Sequence, residues 1–171
     1  HAGDTSLWYS DMMNDHWVTS APDLNGDSTV FGIDSTGTYA LYYSSMASMP
    51  NAGLDDAGNI WLSFSGYTET VDNGTQVFRH LYITKSEDGG DTWKTPVDVT
   101  PHNGTDGGID WAGMQECVFG SMYPVVSDKI SIVYQLDFEP GLAVRGDEDL
   151  VDNNDIVYLE IDTVGLFDNT T

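Results

Sequence analysis

The chain has 171 residues, of which 28 are Asp or Glu and only five Lys or Arg, for a formal net charge of −23. A polyanion of this size repels nucleic-acid phosphates and anionic membranes, leaving cations, basic partners and neutral glycans as compatible ligands. Five Trp, nine Tyr and six Phe in a 40% hydrophobic composition can fill a core, which excludes global disorder.

Taken in chain order, the signals are those of short strands. Leu7-Trp8-Tyr9 opens the series, and Ser10 to Trp17 is the closest approach to a helix, short enough to be one turn. Asp23, Asn25, Asp27 and Asp34 then space oxygen ligands like a calcium loop, although Ser28 stands at the turn-glycine position and Asp34 replaces the usual Glu. Strand candidates follow at Tyr39–Tyr43, Ile60–Phe64, His80–Ile83, Pro96–Val99, Ile130–Tyr134 and Ile156–Ile161, rich in β-branched and aromatic residues and separated by Gly, Asn, Asp and Pro. Between the last two lies a second acid-dense loop, with Asp147, Asp149 and Asp155 as candidate calcium ligands, against the plainer reading of a solvated loop. Calcium is therefore the one cofactor expected. Cys117, the sole cysteine, excludes an internal disulfide and sits in an apolar run that suits an inert buried thiol. No apolar stretch reaches the length of a membrane span, so no membrane insertion is expected. The start at His1, with no signal peptide, suits a processed product or part of a longer protein.

Two longer-range features organise these strands. A weak internal repeat relates Ser48-Met49-Pro50 and Ile60–Phe64 to Ser121-Met122-Tyr123-Pro124 and Ile130–Tyr134, with Leu81-Tyr82-Ile83 matching Val157-Tyr158-Leu159. Leu7-Trp8-Tyr9 reads as a third copy of that last strand. The more specific feature is Ser86-Glu87-Asp88-Gly89-Gly90-Asp91-Thr92-Trp93. Its hydroxyls and the Asp88 carboxylate can close a tight turn on backbone N–H groups, Gly90 admits a conformation closed to other residues, and Trp93 supplies an apolar plug.

That octapeptide resembles the Asp-box (BNR repeat) of sialidase-like β-propellers, in the pattern Ser-x-Asp-x-Gly-x-Thr-Trp. The resemblance implies a blade hairpin, with Ser86, Asp88, Gly90, Thr92 and Trp93 in structural roles far from any central site. The stretch from Met49 to Ile161 also resembles exported proteins of Bacteroidota-type bacteria that carry type IX secretion sorting domains. Residues 55–60, 78–80, 116–122 and 137–141 carry this second likeness.

Enzymatic motifs are absent. A sialidase needs three arginines around its substrate carboxylate, and the chain has Arg79 and Arg145 alone. No Gly-x-Ser-x-Gly elbow accompanies the four histidines, and no phosphate loop is present. The expectation is a single all-β segment over 1–171: two to three blades of a partial sialidase-like β-propeller, with a β-sandwich as the alternative. Its function is read as a non-catalytic binding or structural module of a secreted or cell-surface protein, contacting a glycan, a protein partner or the remaining blades. The alternative is part of a carbohydrate-active enzyme whose site is completed elsewhere.

Overall fold

The computed structural model describes residues 6–10, 15–23, 42, 44–73, 76–100, 115–143, 151 and 153–168. Ten strands run through them: β1 (Ser6–Ser10), β2 (Asp15–Ser20), β3 (Ala47–Asp55), β4 (Ile60–Asp72), β5 (Val77–Ser86), β6 (Val97–Asp98), β7 (Glu116–Met122), β8 (Val125–Val126), β9 (Lys129–Asp137) and β10 (Asp155–Asp162). The fold is all-β, with no α-helix among the described residues. The segment nearest to a helical pattern is strand at both described ends: Ser10 closes β1, and Asp15, His16 and Trp17 lie in β2, with Trp17 opposite Trp8 in the ladder.

Three sheets result: the β1–β2 hairpin, a curled five-stranded sheet in the order β6-β5-β4-β3-β8, and a three-stranded sheet β10-β9-β7. The middle sheet is buried on both faces. Leu62, Phe64 and Tyr82 pack with Leu7 and Val18 of the hairpin. Trp61, Leu81 and Ile83 point the other way and pack with Ile130, Ile132 and Tyr134 of β9. This explains why β5 is buried along nearly its whole length rather than at alternate positions.

The internal repeat is realised as matching registers. Adding 70 to the β3–β4 pairs Ala47↔Gly66, Ser48↔Ser65 and Asn51↔Ser63 returns the β7–β9 pairs Cys117↔Leu136, Val118↔Gln135 and Ser121↔Val133. Each first strand carries one extra residue at the same place, a β-bulge, with a left-handed residue in it: Met49 at φ 57° and Phe119 at φ 54°. The third strands match as well. Trp61↔Lys85 and Leu62↔Thr84 correspond to Ser131↔Glu160 and Ile132↔Leu159, offset by 70 on the middle strand and 75 on the outer one. Two units, β3-β4-β5 and β7-β9-β10, therefore share one plan.

They stack head to tail. Leu62 and Phe64 of the first unit face the hairpin, and their equivalents Ile132 and Tyr134 face the first unit. Close approach at the junction is permitted by small residues. A Cβ added at Gly53 would lie 2.9 Å from the Pro124 carbonyl oxygen, where the β3–β8 pairing begins with a Leu54 N–H to Pro124 bond of 2.9 Å. Gly53→Ala must push backbone apart and should cost about 1–3 kcal/mol in urea unfolding. A neutral substitution would contradict the close contact.

Candidate binding face and buried polar cluster

The turn between β5 and β6 is closed by the side chains that its sequence provides. Ser86 Oγ donates to Asp88 Oδ1 at 2.8 Å and accepts the Gly90 N–H at 2.8 Å. Asp88 takes the Thr92 N–H at 2.9 Å and the Thr92 hydroxyl at 2.5 Å. Gly89 and Gly90 adopt φ of 79° and 103°, and half-buried Trp93 donates to the Gly90 carbonyl while packing on the Leu62–Phe64–Tyr82 cluster. The Thr92 hydroxyl, then the Thr92 N–H and the Ser86 hydroxyl, hold the Asp88 carboxyl down at about 2. A second Asp-centred turn joins β3 to β4: Asp55 accepts from the Ala57 and Asn59 N–H groups, the Asn59 amide and the Trp61 indole. Desolvation opposes ionisation of Asp55, but these four donors outweigh it and hold the carboxyl below its usual range.

At the junction of the two units lies a buried ionic cluster that sequence reading missed. Arg79 and Glu116 are both fully enclosed. The guanidinium donates to the Met46, Ser45 and Ser65 carbonyls and to the Ser48 hydroxyl, and lies 4.2 Å from the Tyr67 ring centroid and 5.4 Å from that of Tyr42. Glu116 Oε2 accepts the Arg79 backbone N–H at 2.6 Å. Among the described residues, Arg79 Nε and Glu116 Oε1 have no hydrogen-bond partner. Burial pushes the Glu116 carboxyl up to about 7 despite the opposing pull of Arg79. Beside this cluster, His80 Nδ1 meets Asp98 Oδ2 at 2.6 Å, tying β5 to β6. Cys117 is buried, and desolvation pushes its thiol up to about 12, which leaves it unreactive. The signals available in sequence were an arginine inside the apolar run of β5 and a glutamate heading the apolar run of β7.

Arg79, Glu116 and Tyr42 are the residue types a sialidase site uses, but enclosure of the first two bars a substrate from them. Their chemistry is that of a strut. Arg145 lies outside the described residues. So do Asn25, Asp27, Asp34, Asp147 and Asp149. Asp23 follows β2, and Asp155, exposed, opens β10 opposite Leu136. Among the described residues no three His, Cys, Asp or Glu side chains converge as a metal site would require.

One open apolar surface among the described residues is the outer face of the second unit. Val133 is 41%, Tyr123 62%, Tyr158 61% and Ile156 72% exposed. Tyr123, Pro124, Met122, Val133 and Tyr158 line a shallow groove of about 530 Å3, with Ser121 and Ser131 supplying hydroxyls. By the repeat, Ile156 and Tyr158 stand where Leu81 and Ile83 stand in the first unit, and those two are buried against the second. The open face is thus the counterpart of a buried junction. No family model matches the chain, and no curated protein is significantly similar to it.

Two of the perturbed carboxyls, one lowered and one raised, predict a two-limbed pH profile. Asp88, depressed from 3.8, contributes stability above that value that is lost as pH falls toward about 2. Glu116, raised from 4.5, keeps its proton longer in the folded state, so its contribution is fully present below 4.5 and declines as pH rises through about 7. Urea midpoints across pH 2–8 should show a shallower acid limb in Asp88→Asn, with the remainder due to carboxyls such as Asp55, and a shallower neutral limb in Glu116→Gln. Limbs of unchanged slope in both variants would contradict these assignments.

Proposed function

We propose that this chain is a non-catalytic structural and binding module of a secreted or cell-surface protein, and that the open face of its second unit contacts a protein partner. The observation that carries the reading is the head-to-tail register repeat: one unit buries this face against protein, and the next presents the same positions to solvent as Val133, Ile156 and Tyr158. An exposed apolar patch of this kind marks an interaction surface. Its finer architecture is two consecutive blades of a sialidase-like β-propeller, preceded by the last hairpin of another. Four features support that assignment: the antiparallel meander β3-β4-β5-β6, the turn Ser86–Trp93, the shared register, and burial of the middle sheet on both faces, which a two-sheet sandwich does not provide. The enclosure of Arg79 and Glu116 favours a binding module over a carbohydrate-active enzyme.

Two measurements test the function. A panel of fluorogenic sialosides and other glycosides should show no turnover above the uncatalysed rate. An environment-sensitive apolar dye should bind the chain, and Val133→Lys with Tyr123→Lys should abolish most of that signal without loss of folding. Turnover would overturn the non-catalytic reading. Saturable binding of a neutral oligosaccharide, abolished by Tyr123→Ala, would replace the protein partner by a glycan.

A further inference from the structure

The bulges at the junction of the two units carry a thioether that combines access to solvent with a structural hydrogen bond. Three of the six methionines fall among the described residues; Met12, Met13 and Met114 lie outside them. Met46 and Met122 are buried, at 4% and 6% exposure, whereas Met49 is only half-buried. Met49 Sδ accepts the Phe119 N–H at 3.4 Å, from one β-bulge to the other. Both residues stand in the left-handed region, at φ 57° and 54°. The Asn51 amide joins the Met49 carbonyl, at 3.3 Å, to the Gly120 carbonyl, at 2.6 Å, so the position of Met49 is passed directly to the strand that carries Phe119. Gly120 has little room to yield, because Leu81 lies 3.1 Å from where its Cβ would stand.

We propose that Met49 is an oxidation site, and that oxygen transfer from a hydroperoxide to its sulfur loosens the packing of the second unit on the first. A sulfur lone pair attacks the outer peroxide oxygen and the O–O bond breaks, the proton passing to the departing oxygen. The thioether is oxidised by two electrons to a sulfoxide, and the peroxide is reduced to water or an alcohol. The product has one sulfur lone pair fewer, and a polar oxygen now stands where the bulges meet. For the Phe119 N–H to follow that oxygen, one bulge must shift against the other, which the Asn51 bonds and the Gly120–Leu81 contact oppose. Residues held in the left-handed region by their surroundings relax when those surroundings change. Methionine sulfoxide reductases return the thioether, so the change is reversible. The inference rests on the packing of the two units and not on the protein-partner reading of the open face.

The test treats the intact chain with dilute hydrogen peroxide and follows each methionine by peptide mass. Met49 should gain one oxygen several-fold faster than Met46 and Met122. In the oxidised protein the urea midpoint should fall, and the Phe119 and Gly120 amides should exchange several-fold faster while those of the Ser86–Trp93 turn stay unchanged. Reductase treatment should restore the midpoint. Met49→Leu keeps the bulk of the side chain without the reactive sulfur, and its midpoint should lose most of its sensitivity to the same dose of peroxide. The oxidation rates and amide exchange are read on the native sequence, so they decide the question even where Met49→Leu does not fold. Three results would each overturn the proposal: Met49 oxidised no faster than Met46 and Met122, a midpoint and Phe119 exchange unchanged once Met49 carries oxygen, or an equal peroxide-induced fall in Met49→Leu.

Discussion

The Asn51 side-chain amide donates to the Gly120 carbonyl at 2.6 Å, and this contact between two bulged strands fixes where the second unit lies on the first. Each bulge forces a non-glycine residue into the left-handed region, an arrangement that costs about 1–3 kcal/mol per residue and persists only where the surroundings over-determine it. Here they do. The bulges at Met49 and Phe119 meet directly, with the Phe119 N–H on the Met49 sulfur at 3.4 Å, and Gly120 lies close enough to Leu81 that an added Cβ would stand 3.1 Å from it. With the bulges in place, Ile130, Ile132 and Tyr134 all face the first unit. A one-residue slip would turn them to solvent.

The buried ions belong to the same junction. Removing a guanidinium and a carboxylate from water is expensive, and their attraction seldom returns more than it costs. Arg79 and Glu116 therefore add little net stability; what they add is placement. Glu116 reaches from the start of β7 to the backbone of β5, and Arg79 gathers the Ser45–Ser48 segment that leads into β3. A displaced register would strand the guanidinium without acceptors and the carboxylate without donors, so the cluster penalises wrong packing more than it rewards the right one. The Asp-centred turns at Asp55 and Asp88 do comparable work at exposed positions, where local hydrogen bonds set the hairpins without burying charge.

Much of the fold was legible because it is local. Strand content follows from runs such as Ile60–Phe64 and Ile130–Tyr134, and the Ser86–Trp93 turn follows from the donors and acceptors its residues carry. The recurrence of Ser-Met-Pro-like segments marked the repeat, but its register was hidden. An alignment of Ser48-Met49-Pro50 with Ser121-Met122-Tyr123-Pro124 misses the 70-residue offset that places Met49 on Phe119, because bulges are set by pairing and not by residue type. β2 drew no strand reading because it opens on the polar pair Asp15-His16, and its partner strand is visible only in the ladder that sets Trp17 opposite Trp8. The role of Arg79 with Glu116 was also invisible, since two residues 37 positions apart are joined only when β7 crosses β5. The acidic loops lie largely outside the described residues, so their chemistry stands as sequence reading.

The two β units thus share one plan, and the second packs on the first through the face that the first turns to the hairpin. The most direct measurement of that claim is the cross-strand nuclear Overhauser pattern of β7 with β9 in isotope-labelled protein. The account predicts pairing of Ser121 with Val133 and Val118 with Gln135, mirrored by Asn51 with Ser63 and Ser48 with Ser65. Pairing of Ser121 with Ile132, or of Phe119 with Gln135 in an unbulged ladder, would contradict it.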